Sequence, residues 1–144
     1  MDGIHIRPAA AGDTAALASL ISQLGYPTAV EQMAARMAAI GAHPDHGTLV
    51  ADRSGTAVGM AGVYVSLSYD YDAPIGRLTG LVVADGLRGK GIGRALVAAA
   101  EDWVRARGAA QLALTSHTRR KEAHAFYRSL GYEETGIRLV KRFF

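Results

Sequence analysis

Hydrophobic and polar positions along the chain follow two periods, one typical of strands and one typical of helices. Alternating or short apolar segments predict strands at residues 4–8, 48–52, 57–68, 75–83, 111–115 and 137–143. Apolar residues spaced three and four apart predict helices at residues 13–24, 30–40, 92–107 and 119–130. The order β-α-α-β-β-β-α-β-α-β predicts an α/β fold with one central sheet and helices on both faces.

A glycine-rich turn, Arg88-Gly89-Lys90-Gly91-Ile92-Gly93, separates the strand at 75–83 from the helix that follows. Glycine lacks a Cβ atom, so the chain there can adopt positive φ angles and approach a ligand closely. The N–H groups of a helix's first turn have no intrahelical acceptor and lie at the positive end of the helix dipole. The turn is therefore predicted to bind a phosphate or pyrophosphate.

The glycine spacing does not fit two common nucleotide-binding motifs. A Walker loop needs Ser or Thr after its lysine, but Gly91 follows Lys90. The motif Gly-x-Gly-x-x-Gly needs its third glycine at position 94 or 96, where the chain has Arg94 and Leu96. The turn does match Arg/Gln-x-x-Gly-x-Gly/Ala after an apolar strand.

A second motif begins about 35 residues after the turn and reads Ala-His-Ala-Phe-Tyr-Arg-Ser-Leu-Gly-Tyr at residues 123–132. The two motifs, in this order, resemble the GNAT superfamily of acetyl-CoA-dependent N-acetyltransferases, and the resemblance extends from Ile4 to Phe143. It implies a single domain over residues 1–144 with a mixed, mostly antiparallel sheet. The implied reaction is direct attack of a primary amine on acetyl-CoA, with no covalent enzyme adduct.

The resemblance also implies the site residues. Tyr127 would protonate the departing coenzyme A thiolate. The backbone of Leu81, Val82 and Val83 would bind the pantetheine arm beside a bulge at Gly80, with the Val82 N–H polarising the thioester carbonyl. The pyrophosphate would accept from the backbone N–H groups of the turn, which are those of Arg88, Gly89, Lys90, Gly91, Ile92 and Gly93. The side chains of Arg88, Lys90 and Arg94 would supply positive charge, and Arg120 would be a further contact to the coenzyme. No metal is implied.

The chain departs from the superfamily pattern at two positions. Many members carry a glutamate near the position of Thr79 that deprotonates the amine through water, and an asparagine where this chain has Arg120. No general base is therefore assigned. His117 is a candidate because imidazole titrates near neutral pH, and the alternative is an ordinary loop histidine. The missing glutamate also leaves open a non-catalytic acyl-CoA-binding or regulatory domain.

The amino-acid composition excludes several classes of protein. The chain has no cysteine, which excludes disulfides and thiolate chemistry, and its start lacks a signal-peptide pattern. No apolar run is long enough to span a membrane, so a cytoplasmic protein is expected.

Residues 1–87 carry 4 arginines and 8 acidic residues, whereas residues 88–144 carry 12 Lys or Arg and 5 acidic residues. The basic half suits the coenzyme phosphates, and the acidic half suits a cationic amine. High arginine and alanine contents point to a bacterial source.

Several other features have two interpretations. Residues 43–46 (His-Pro-Asp-His) resemble a metal cluster but are expected to form a polar loop. Asp70 and Asp72 would bind a cationic acceptor or be ordinary turn residues. The acceptor is expected to be a small-molecule or peptide amine, and not nucleic acid, because basic and aromatic residues do not interleave on one surface. The apolar end at Phe143 and Phe144 suits a homodimer contact.

Overall fold

Five strands form one mixed sheet in the computed structural model, which describes residues 3–116 and 121–144. The strands, in sheet order, are β1 (Ile4–Pro8), β2 (His46–Arg53), β3 (Thr56–Ser66), β4 (Ile75–Val83) and β5 (Leu112–Leu114). The first three pairings are antiparallel. The Gly76 N–H donates to the Gln111 carbonyl at 3.0 Å, beside the starts of both β4 and β5, so these two strands run parallel. The predicted α/β class is confirmed.

Four α-helices are described, at α1 (Thr14–Leu24), α2 (Val30–Gly41), α3 (Ile92–Arg105) and α4 (Lys121–Ser129). Their bounds agree with the predicted ones to within a few residues. Gly25 ends α1 with a φ of 113°, a left-handed conformation that favours glycine, and its N–H donates to the Ile21 and Ser22 carbonyls. Within the described residues, no helix is both long and apolar enough to cross a membrane.

Helix α3 packs on one face of the sheet at three glycines. A Cβ atom at Gly47 would lie 2.7 Å from the Trp103 indole, and one at Gly59 would lie 3.0 Å from Leu96. At Gly76 a Cβ would lie 2.7 Å from Val104. The glycines therefore allow the helix to approach the strands closely, which a larger residue would prevent.

The opposite face of the sheet packs against α1 and α2. Buried side chains from both helices and from the strands form one apolar cluster, which includes Leu17, Leu20, Met33, Val50, Met60 and Val82. Leu17 and Val50 have no exposed surface. Helices thus cover both faces, as the sequence predicts, because α1 and α2 bury one set of alternating strand residues and α3 buries the other.

An ion-pair network joins β1, β2 and the start of α1. The Arg7 guanidinium binds Asp13 through two hydrogen bonds of 2.8 Å and donates from Nε to Asp52 at 2.7 Å. Both carboxylates are nearly buried, with 5% of each residue exposed. Asp13 occupies the N-cap position of α1, but its side chain makes no cap hydrogen bond and accepts instead from Arg7 and the Ala10 N–H.

The strand predicted at residues 137–143 is not a strand in the structure, where the described residues 133–144 have no regular secondary structure. Ile137, Leu139 and Phe143 are 83%, 84% and 85% exposed. Alternation of apolar residues predicts a strand only where a neighbouring strand offers backbone partners, and none of the described strands pairs with this segment.

The chain divides into two compact units, Met1–Ala113 and Leu114–Phe144. The first contains β1 to β4 and α1 to α3, and the second contains α4. A single domain over residues 1–144 stays a prediction.

Candidate active site

The glycine-rich turn leads directly into α3 and has the left-handed backbone that its glycines predict. Gly89 has a φ of 76° and Gly91 a φ of 87°, and Gly91 is the N-cap of the helix. Residues with a Cβ atom rarely adopt such angles. A Cβ at Gly89 would have no atom within 4 Å, so space around this residue is open to a ligand.

Several backbone N–H groups of this turn have no backbone acceptor among the described residues. The first helical hydrogen bond runs from the Ala95 N–H to the Gly91 carbonyl at 3.1 Å. The N–H groups of residues 92–94 therefore precede the intrahelical ladder. In the described part of the chain, the N–H groups of Arg88, Gly89 and Gly91 donate no backbone hydrogen bond. The turn thus presents a cluster of free donors at the positive end of the α3 dipole, which suits a pyrophosphate.

The cations around the turn are not equivalent. The Arg88 Nε donates to the Val83 carbonyl at 3.2 Å, and its Nη2 lies 3.1 Å from Asp85. Lys90 and Arg94 are exposed and form no ion pair with any described residue. Lys90 and Arg94 are therefore available to an anionic ligand, whereas Arg88 is already paired.

A bulge lies in the middle of β4. Gly62 pairs with Gly80 and Val63 pairs with Leu78, so Thr79 is the extra residue on the β4 side. Thr79 is exposed, and its hydroxyl lies where a Cβ of Gly62 would be. The sequence predicts a bulge at Gly80, and the structure has it one residue earlier, next to that glycine.

Along its second half, the outer edge of β4 pairs with no described strand. β5 has 3 residues against 9 in β4, and both strands begin beside the bond between Gly76 and Gln111. Because β5 ends early, the described strands leave the part of β4 after the bulge without a partner on that side. Backbone groups there are available to a ligand that adds to the edge in the manner of a strand.

Hydrogen-bond alternation decides which residues face this edge. The Ala84 N–H donates to the Val58 carbonyl of β3 at 2.8 Å. Successive residues of a strand direct their N–H groups to opposite edges, so Val82 also faces β3. Leu81 and Val83 consequently face the open edge. The sequence-based choice of Val82 as the donor to the thioester carbonyl is not favoured by this geometry.

Tyr127 lies on α4, in the second compact unit. Its half-buried ring makes edge contacts with Phe126 at 5.2 Å and with Tyr132 at 5.8 Å. Its carbonyl accepts from the N–H groups of Leu130 and Tyr132 at 3.0 and 3.1 Å, which ends the helix as its glycine motif predicts. The predicted His117 and Arg120 lie outside the described residues.

The loop before β4 lines a shallow depression. Tyr71, Asp72 and Pro74 border it together with Ala110 and Gln111, and its volume is about 290 Å³. The depression lies at the start of β4, at the opposite end of that strand from the glycine turn. Asp70 is exposed and does not line it.

One row of polar residues on the sheet was not predicted from the sequence, which assigned His46 to a polar loop, whereas His46 is the first residue of β2. His46, Tyr64 and Arg77 are opposite one another on β2, β3 and β4. Their neighbours along each strand face α3, and these are Gly47, Val63 and Gly76. The row therefore lies on the opposite face of the sheet. The His46 ring stacks on the Tyr64 ring with centroids 4.9 Å apart. The sequence contains these residues, but not the register that aligns them.

Comparisons with known proteins all find similarity to acetyltransferases. The family model for the acetyltransferase (GNAT) family matches residues 15–132. The chain is 41% identical over 86 residues to an aminoglycoside N(6')-acetyltransferase type 1 from Stenotrophomonas maltophilia, covering 56% of this chain and 55% of that protein. It is 35% identical over 89 residues to an aminoalkylphosphonate N-acetyltransferase from Salmonella typhimurium, covering 62% and 58%. The chain thus matches a little over half the length of each relative.

The fold agrees with a solved structure over nearly its whole length. The aminoglycoside N-acetyltransferase AAC(6')-Iy in complex with coenzyme A superposes with a TM-score of 0.85 at 22% identity, covering 96% of this chain and 93% of that one. The family model spans both the glycine turn and the motif around Tyr127, which are the two segments that carry the resemblance in the sequence. On this evidence the chain belongs to the GNAT family of acetyltransferases.

Proposed function

We propose that this protein transfers an acetyl group from acetyl-CoA to the nitrogen of a primary amine. The observation that carries the proposal is the set of free N–H donors at residues 88–94, which directly follows the open edge of β4 along the chain. One end of this surface suits a pyrophosphate, and the other suits an extended amide chain. Coenzyme A carries both groups, and its thioester supplies the activated acetyl group.

The residues of the first unit would bind and orient this co-substrate. The N–H groups of Gly89, Gly91 and the first turn of α3 would hold the pyrophosphate, with Lys90 and Arg94 neutralising its charge. The outward backbone groups of Leu81 and Val83 would pair with the pantetheine amides. An outward N–H of this pair, in place of Val82, would polarise the thioester carbonyl during attack.

Tyr127 would act as the general acid. A phenol is largely protonated at neutral pH, so it can donate its proton to a thiolate leaving group. This assignment rests on the family motif at residues 123–132, and Arg120 is proposed on the same basis as a further coenzyme contact.

The general base is the open part of the mechanism. Thr79, the extra residue of the β4 bulge, has a hydroxyl and no carboxylate, so it cannot accept the amine proton near neutral pH. We propose that the acceptor binds as the neutral amine, with His117 as the candidate base. Activity is then expected to rise with pH until the amine or the imidazole is deprotonated.

The two relatives indicate two acceptor classes to test. One is named for aminoglycosides, which are polycationic, and the other for aminoalkylphosphonates, which carry an anionic group. The decisive experiment measures free-thiol release from acetyl-CoA with a panel of both classes and simple amino acids, followed by mass spectrometry of the product. An acetylated amine together with stoichiometric thiol supports the proposal.

The alternative function is a non-catalytic acyl-CoA-binding domain, which the absence of a carboxylate at Thr79 favours. It predicts that calorimetry detects acetyl-CoA binding while no amine in the panel releases thiol above the hydrolysis rate. That combination of results would contradict the proposed transferase.

A further inference from the structure

Arg77 is a half-buried cation in the middle of the sheet. Its neighbours on either side along β4 are Gly76 and Leu78, which are both buried on the α3 face. Arg77 therefore lies on the other face, directly opposite Tyr64 on β3. Tyr64 and Arg77 are half-buried, and Thr79 on the same face is exposed. This part of the face is therefore polar and only partly covered.

Arg77 has no partner among the described residues. Its guanidinium takes part in none of their ion pairs, hydrogen bonds or cation–π contacts. Removing a charge from water without a partner costs free energy, and arginines that are partly buried are usually paired. By comparison, Arg7 on the same sheet is paired with two carboxylates. An unpaired half-buried guanidinium is therefore a candidate anion-binding group.

A second polar atom lies in the same row. The Nδ1 of His46 is buried and has no hydrogen-bond partner in the described part of the chain. The His46 ring lies 4.9 Å from Tyr64 with an interplanar angle of 16°, so the two rings form a stacked platform beside Arg77. Arg77 and the His46 Nδ1 are thus two polar groups of one row that have no partner among residues 3–116 and 121–144.

The row lies close to the proposed reaction centre. Thr79, the bulged residue, is two residues from Arg77 along β4, a distance of about 6–7 Å at the usual rise per residue. The hydroxyl of Thr79 covers Gly62, on the same face as Arg77. A group that lies a few bonds from the nitrogen of an amine bound beside the bulge is therefore within reach of the Arg77 guanidinium.

The geometry points to a small primary amine with an anionic group as the acceptor, bound through that group by Arg77. This inference rests on the proposed acetyl transfer and adds the class of acceptor. A guanidinium pairs with carboxylate, phosphate or phosphonate through two parallel hydrogen bonds, which fixes both position and direction. The same cation disfavours a polycationic acceptor, because like charges placed together in a partly buried site repel.

The test compares acceptors that differ only in charge. β-Alanine and 2-aminoethylphosphonate carry the anion, and β-alaninamide is the neutral analogue of the first. The kcat/KM ratio of β-alanine to β-alaninamide is measured for the natural protein and for Arg77→Gln. We expect this ratio to fall by about 10- to 100-fold in Arg77→Gln, because a charge-assisted pair is lost only with the acid. Comparing ratios cancels the intrinsic reactivity of each amine.

Two control variants separate charge from structure. Arg77→Lys keeps the charge without the two-point geometry, so it should restore part of the preference for the acid. Arg53→Gln removes an exposed arginine at the end of β2 and should leave the ratio unchanged. The KM for acetyl-CoA should be the same in all variants. An equal loss with the acid and the amide in Arg77→Gln would overturn the inference.

A binding measurement keeps this inference separate from the proposed reaction. Calorimetry follows 2-aminoethylphosphonate binding to the protein saturated with coenzyme A. Binding that is lost in Arg77→Gln supports the anion site even if no amine is acetylated, in which case only the proposed reaction fails. Acetylation of neutral amines and acids alike, with no effect of Arg77→Gln, supports the reaction and overturns the anion site.

Discussion

Arg7 and Asp13 form a two-point ion pair in which Nη1 and Nη2 each donate to a different carboxylate oxygen at 2.8 Å. Arg7 also binds Asp52, so a single guanidinium pairs with two nearly buried carboxylates. The pairing joins the first strand to the start of α1 and to β2, and it explains how the sheet buries acidic residues at this edge.

This network predicts acid sensitivity of the fold. Hydrogen bonding to Arg7 lowers the pKa of both Asp13 and Asp52 below the ordinary value of 3.8, although burial opposes the shift. A lowered folded-state pKa stabilises the protein above the unfolded-state pKa, and this contribution is lost as the pH falls through the folded-state pKa. We expect the free energy of unfolding in urea to fall steeply below about pH 4.

Arg7→Gln provides the corresponding variant. At pH 7 it leaves two nearly buried carboxylates without their cation, so it should be clearly less stable than the natural protein. The difference in free energy of unfolding between the natural protein and the variant should shrink toward pH 3. The carboxylates of the variant, which are no longer paired with Arg7, become protonated there. Arg53→Gln, which removes an exposed arginine of the neighbouring strand, serves as the control. A deficit of Arg7→Gln that does not change with pH would contradict this role of the network.

Gly76→Ala is predicted to destabilise the packing of β4 on α3. An alanine Cβ would lie 2.7–2.8 Å from the three side-chain carbons of Val104, which is closer than packed atoms allow. Overpacking of this kind costs about 1–3 kcal/mol. Gly80→Ala, on the same strand with no atom within 4 Å of its Cβ, should change stability little.

The double variant Gly76→Ala with Val104→Ala tests the cause. If the clash with Val104 is responsible, the two changes are not additive, and the double variant is more stable than the sum of the single effects predicts. Additive changes in the free energy of unfolding would mean that the loss arises elsewhere.

Gly91→Val is predicted to weaken coenzyme A binding by at least about 10-fold, because a side chain with a φ of 87° strains the turn that presents the N–H donors. Calorimetry gives the affinity, and thermal unfolding reports the strain. Gly108→Val introduces a comparable left-handed valine just past the opposite end of α3, since Gly108 has a φ of 88°. The control should lose stability but keep its affinity. Normal affinity in a folded Gly91→Val protein would refute the pyrophosphate site.

Tyr127→Phe is predicted to lower kcat by about 10²-fold or more while coenzyme A affinity stays nearly unchanged, because only proton donation is lost. Steady-state kinetics and calorimetry together separate the two effects. Tyr26→Phe, which alters a phenol that is 65% exposed in the loop after α1, should change neither value. Unchanged turnover in Tyr127→Phe would remove this residue from the mechanism.

Local patterns were enough to predict most of the elements. β4 was predicted with the same bounds as found, because its apolar run is bordered by Pro74 and by the polar segment after Val83. The glycine turn could also be predicted, since positive φ angles at Gly89 and Gly91 are a local property of glycine. The strand predicted at residues 137–143 is wrong, because alternation alone cannot show that its apolar residues stay exposed with no described strand beside them.

Local sequence patterns identify most of the strands and helices, the position of the predicted anion-binding turn and the family motifs. Long-range packing sets which backbone groups have a partner among the described residues. The open edge falls to Leu81 and Val83 because pairing with β3 uses Val82. The structure likewise aligns Arg77 with Tyr64 and His46, because the register of three strands places these residues opposite one another. The hydrophobic period of a segment sets the face on which a residue lies, whereas the residues that it contacts are set by segments distant in the chain.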